Sequence, residues 1–370
     1  MTGSAAKNLD IPSWIESGRI PSLDGLRAIS VILVVIAHAH QTRGFPDLIV
    51  AKAIGRVGSI GVEVFFVISG FLITTLILRE QARTGRLAIG SFFARRIRRI
   101  APAYISLLLA VAILQAMGLA QLSEGDWAAA MTYTVNFVRH PAWEIGHAWS
   151  LSIEEHFYIV YPILLAVSPS LGVAASLACV GFCFVARWSI LFLWPAMTPM
   201  AELWTFTRMD TIACGCLLAF AARDERCRRL LDGLCRRNAS AAIGLILIVS
   251  LVISRYSAKF SVGVAYTSNA CCIALLLWSA MRNESGIVGR VLNHRYLAAV
   301  GLASYSIYLW QQLFLNPGNG GFLCAFPLNL ACALVAAMVS YCFIERPFLK
   351  WKGQRKREGG VAMSHPPSEE

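Results

Sequence analysis

The sequence predicts an all-α fold, a polytopic membrane bundle of about ten transmembrane helices with both termini in the cytoplasm. Three observations predict it. Apolar residues make up 57% of the chain and charged residues only 15%, too little polar surface for a soluble fold of 370 residues. Several runs of about twenty residues carry almost no charge, the length a bilayer core requires of a helix. The arginines collect in short stretches between those runs, as expected of cytoplasmic loops. That placement also argues against a nucleic-acid partner despite a net charge of +12, because no soluble basic face is formed.

In chain order, residues 1–20 form a polar cytoplasmic segment with no apolar stretch, so no cleavable leader is expected. The membrane unit runs from 21 to 351. Its apolar segments are 25–41, 59–78, 100–121, 151–167, 171–193, 204–222, 239–256, 264–281, 298–316 and 322–344. The stretch 127–138 is short and holds Thr132, Thr134 and Asn136, which suits an interfacial or re-entrant piece better than a span. Between Arg79 and Arg99 there are seven arginines and one acid, and between Arg223 and Arg237 six arginines and three acids. Both stretches lie inside only if an odd number of spans follows 100–121, and leaving out 127–138 satisfies that parity. The tail 352–370, basic then polar, is expected to be cytoplasmic and disordered. The eleven cysteines are mostly scattered through apolar runs with no C-x-x-C pair, so neither a metal site nor a disulfide framework is expected.

The first span carries two polar groups with a definite spacing. Arg27 and His38 are eleven residues apart, which on a helix places both on one face, roughly 16 Å apart along the axis. With the topology above, Glu63, Glu154, Glu155, Arg208 and Asp210 fall near the outer starts of their helices. His38, Gln311 and Gln312 fall near the outer ends of theirs, and His147 just precedes the fourth. A charge at mid-membrane costs about 2.5–3.5 kcal/mol on insertion scales, so one shared polar cavity is the economical arrangement. The plainer reading puts several of these groups at the water interface. If Arg95, Arg98 and Arg99 are helical they form one basic stripe under the inner leaflet. That stripe serves either as ordinary membrane anchoring or as a phosphate site suited to arginine's planar fork.

Seven motifs then stand in order: Ser22-Leu-Asp-Gly-Leu-Arg27 with His38, the run from Gly61 to Ile73, and the run from Phe93 to Pro102. They continue with the run from His147 to Tyr158, Arg208-Met-Asp210, the run from Ser304 to Trp310, and Glu345-Arg-Pro347. On these the chain resembles the acyltransferase-3 family of polytopic bacterial membrane enzymes, which move acyl groups onto sugars and other hydroxyl acceptors. The resemblance covers about 21 to 351. It implies an acyl-CoA donor, with acetyl-CoA the expected form, entering from the cytoplasm of a bacterial inner membrane. It also implies His38 as the catalytic group, Arg27 as part of the donor site, and Arg95, Arg98 and Arg99 on the phosphates of coenzyme A. Glu63, His147, Trp149 and Gln311 are the expected substrate-side residues, and no metal is implied. A family member of this length is expected to carry no attached esterase-like domain. The chain departs from the family pattern in having Gln311 where His is usual, Glu63 where Asp is common and His156 where Gln is common.

Acyl transfer from a thioester needs a deprotonated acceptor hydroxyl and a stabilised oxyanion. Neutral imidazole can act as base to that hydroxyl or as nucleophile through an acyl-histidine, and the sequence leaves both open. Glu154 could orient His38 by accepting its second N–H, or simply sit near a helix N-terminus. The expected function is therefore acyl transfer to a hydroxyl of a cell-surface or secreted glycan or glycolipid, within membrane lipid. A transporter or flippase of a lipid-linked or small substrate is the alternative. Inverted repeats would favour it, and no second copy of the first-span pattern occurs in the other half.

Overall fold

The computed structural model describes residues 21–350 apart from 50, 51, 54, 56 and 57. The predicted N-terminal segment and tail lie outside the described residues. Those described fold as helices without strands, as the composition predicts. In chain order they are α1 (Pro21–Ala39), α2 (Ser59–Thr84), α3 (Ile89–Ala116), α4 (Glu124–Met131), α5 (Ala148–Val167), α6 (Pro169–Leu193) and α7 (Asp210–Ala221). Then come α8 (Glu225–Leu234), α9 (Arg237–Tyr256), α10 (Tyr266–Arg282), α11 (Arg295–Leu302), α12 (Ser304–Phe314) and α13 (Leu328–Ser340).

Helix α2 is the centre of the bundle. It is apolar on nearly every side, as a helix surrounded by other helices must be, and it buries Phe66, Val67, Ile68 and Phe71. Against α7 the two backbones approach directly. A Cβ on Gly70 would stand 1.9 Å from the Ile212 carbonyl oxygen, and one on Gly215 would stand 2.0 Å from that of Val67. Small residues at such a crossing are what permit close packing where lipid supplies no hydrophobic drive. Gly85, in the left-handed conformation at φ 73°, ends α2 and turns the chain into α3. The outer helices α3, α6, α9 and α13 expose apolar side chains such as Ile113, Phe192, Ile246 and Val335, as lipid-facing helices do.

Among the described residues eight helices are long and apolar enough to cross a membrane, and the chain is a multi-pass membrane protein. They match eight of the ten expected segments, and two differ. The segment 204–222 is a turn of helix over Thr205–Arg208 followed by the twelve-residue α7. The segment 298–316 is two helices, α11 and α12, parted at Ala303. Both have a physical cause. The chain breaks between Arg208 and Asp210, whose side chains leave in different directions to buried partners on α2 and α6. Next to the second break, Gly301 lies against the start of α1, where a Cβ would stand 1.9 Å from the Asp24 carbonyl oxygen. The stretch 127–138 holds the end of α4, then Tyr133 at φ 54° and a 3-10 turn over Val135–Phe137. It is far too short to span. Helix α4 starts at a capping box in which Ser123 and Asp126 satisfy one another's backbone N–H.

Candidate active site

Helix α3 begins at Ile89, so Arg95, Arg98 and Arg99 share one helical face, as their spacing requires. They line a cavity of about 940 Å³ between α1, α2, α3, α5 and α12. Arg27 projects from α1 into the same space, and so does Glu154 from α5. Arg95 is held by Glu80 at 2.6 Å. Arg96 turns aside to Glu155 at 2.8 Å and Glu154 at 3.7 Å, with its guanidinium 3.3 Å above the Tyr158 ring. Arg27, Arg98 and Arg99 have no ion-pair partner within 4 Å among the described residues. A cavity whose lining holds these guanidinium groups close together suits a polyanion. Apolar side chains of α2, among them Phe66, Leu72 and Ile73, line it too, together with Ser150 and Tyr308.

Beyond Tyr308 lie the histidines. The Tyr308 hydroxyl donates to the His147 carbonyl oxygen at 2.8 Å and meets the Ser150 hydroxyl at 2.6 Å. The ring of His147 stands edge-on to that of Tyr308, centroids 5.4 Å apart, and is close enough to His38 to act on its charge. His147 is buried, and among the described residues neither of its ring nitrogens has a well-formed hydrogen-bond partner. His38 is half-buried. Its Nδ1 meets Gln311 Oε1 at 2.9 Å and its ring meets the edge of Trp143 at 5.8 Å. Trp143 is fixed in turn by two backbone bonds with Gln312, Nε1 to the Gln312 carbonyl and Gln312 Nε2 to its own carbonyl.

Several expectations from the sequence change here. Glu154 does not orient His38, because it faces Arg96 and lines the cavity at the level of Arg27. Seven residues of α5, about 10 Å of rise, separate it from His147, the neighbour of His38. The polar groups also do not share one chamber. Glu63, 2% exposed, faces Arg208 at 3.5 Å, and the Arg208 guanidinium lies 3.6 Å above the Tyr266 ring. Trp149 turns to that cluster, 5.9 Å from Arg208, because it stands 200° around α5 from His147. Asp210 bonds Arg187 at 2.8 Å and accepts from Thr267 at 2.7 Å. Each charge has thus found an opposite partner on another helix, the arrangement that buried charges require. Of the substrate-side residues, only His147 and Gln311 adjoin His38.

Sequence reasoning missed Tyr308, Ser150, Trp143 and Arg187. Tyr308 was signalled by its place three residues before Gln311, on the same face of α12. Arg187 was signalled by being a lone charge in an apolar run. Trp143 lies between the third and fourth motifs, outside both, and carried no signal.

Comparison with known proteins bears on this geometry. A family model described as an acyltransferase domain, Acyl_transf_3, matches residues 20–346. "Putative O-acetyltransferase SACOL0978" of Staphylococcus aureus strain COL is 27% identical over 387 residues, covering 94% of this chain and 59% of that protein. "O-acetyltransferase OatA" of Staphylococcus aureus strain NCTC 8325 / PS 47 is 26% identical over 359 residues, covering 90% of this chain and 57% of its own length. The chain therefore spans less than two thirds of these relatives. No solved structure matches. With most of its length inside the family model, from the Arg27 helix through Glu345, the chain belongs to this family of membrane acyltransferases.

Proposed function

We propose that the chain transfers an acetyl group from acetyl-CoA to a hydroxyl of a cell-surface or secreted glycan or glycolipid, working in a bacterial inner membrane. The observation that carries the donor assignment is the arginine-lined cavity. Its cations Arg27, Arg98 and Arg99 suit the phosphates of coenzyme A, Arg95 stands beside them on Glu80, and its apolar walls suit the pantetheine arm. The family resemblance and the relatives' printed names, O-acetyltransferases, support the reaction.

In this reading the thioester reaches the inner end of the cavity at Ser150 and Tyr308, with the histidines beyond. His38 takes the proton of the acceptor hydroxyl. The hydroxyl oxygen bonds the acyl carbonyl carbon, the carbon–sulfur bond breaks, and the proton passes from the imidazolium to the departing thiolate. Nothing in the geometry favours the transporter reading over this one.

Donor binding to purified protein tests the proposal. Replacing Arg95, Arg98 and Arg99 together with Gln is expected to weaken acetyl-CoA affinity at least tenfold, with the protein still inserted and folded. Added salt is expected to weaken wild-type binding, since charge contacts near the surface are screened. Unchanged affinity in the triple variant would return the cluster to membrane anchoring.

A further inference from the structure

Gln311 is wholly buried, and its Oε1 lies 2.9 Å from Nδ1 of His38. With the amide oxygen placed toward the ring, Nδ1 is the donor in this contact and Nε2 keeps its lone pair. Either role open to His38, base or nucleophile, uses that lone pair. The ring is fixed on another side by the edge of Trp143, whose own position depends on Gln312, the next residue of α12. Two consecutive glutamines thus set the tautomer and the orientation of His38.

We propose that Gln311 is the positioning residue of His38, holding Nε2 unprotonated toward the acyl carbonyl and the acceptor hydroxyl, and not a group that binds the acceptor. This rests on the reading of His38 given above. It differs from the triad arrangement in one respect, because a neutral amide orients the imidazole without stabilising its charged form. Among the described residues, the other titratable groups that bear on His38 are His40 on its own helix and His147 just before α5, and neither is an anion. The imidazolium formed during transfer therefore has no carboxylate beside it and returns its proton readily to the thiolate.

The test is the pH dependence of label transfer from radiolabelled acetyl-CoA to the host's own polysaccharide fraction, measured in host membranes. Gln311→Glu places a carboxylate where the amide oxygen was. It favours the imidazolium, so the acid limb of the rate profile is expected to move to higher pH by about one unit or more. Gln311→Leu removes the lock, and a ten- to hundredfold lower turnover is expected with the KM for acetyl-CoA unchanged. A tie that merely held α12 to α1 would move neither the acid limb nor turnover at constant donor KM. If the Leu variant fails to accumulate, the Glu variant alone decides. Wild-type turnover and an unmoved acid limb in Gln311 variants, with His38→Ala inactive in the same membranes, would overturn the positioning role and leave the His38 reading standing. Full activity in His38→Ala would overturn both.

Discussion

Arg187 shows how a single residue in this chain is decided by its partners. It is fully buried in α6, where an unmatched cation would be severely destabilising, and it is held by Asp210, Thr267 and the Thr207 carbonyl. Asp210→Asn is expected to lower stability by about 3–5 kcal/mol, because the guanidinium stays buried without its carboxylate. Replacing both with apolar residues, Arg187→Met with Asp210→Leu, is expected to recover much of that loss. Thermal unfolding in detergent measures both. A single Asp210→Asn as stable as wild type would show that the ion pair contributes little. Single residues were only partly legible in the sequence. The Arg27–His38 spacing and the α3 arginine stripe follow from helix geometry alone. The partners of Glu63 and Glu154 depend on which helices adjoin, and a one-dimensional pattern does not contain that.

At the scale of elements, the long apolar runs were legible because a span must be apolar along its whole length. The segments 204–222 and 298–316 were read as continuous spans because hydropathy does not register a lateral ion pair or a glycine contact. The first break lies inside a resemblance motif, between Arg208 and Asp210, and the second immediately precedes one, at Ala303. The second frees α12 to present Tyr308 to the arginine-lined cavity and Gln311 to His38 from one short helix. The α2–α7 crossing is the element contact most exposed to a small change. Gly70→Val and Gly215→Val each drive side-chain atoms into a facing backbone carbonyl, less than 2.1 Å from the built Cβ. A loss of folded protein is expected in either variant, read as aggregation on size exclusion at matched synthesis. Monodisperse, wild-type-like protein from both would mean that the helices can separate at no cost.

For the whole molecule, the arginine excess predicts an orientation. Reporter fusions in the turn after Gly85, near 230 and after 350 are all expected to report cytoplasm, because each adjoins Lys/Arg-rich sequence. A periplasmic signal near 230 would break the ten-segment topology. In that orientation the arginine-lined cavity, with Arg95, Arg98 and Arg99, would open to the cytoplasm. The polar groups of α1, α5 and α12 lie toward the other side, about 16 Å along α1 from Arg27. The donor and acceptor would then arrive from opposite faces and meet at His38. The measurement that tests this most directly follows acetyl-CoA binding and acetyl transfer side by side in purified wild type, His38→Ala and His40→Ala. Unchanged donor affinity is expected in all three, with transfer lost by at least about a hundredfold in His38→Ala alone. Transfer at the wild-type rate in His38→Ala, at matched protein, would contradict the account and move the base to His147.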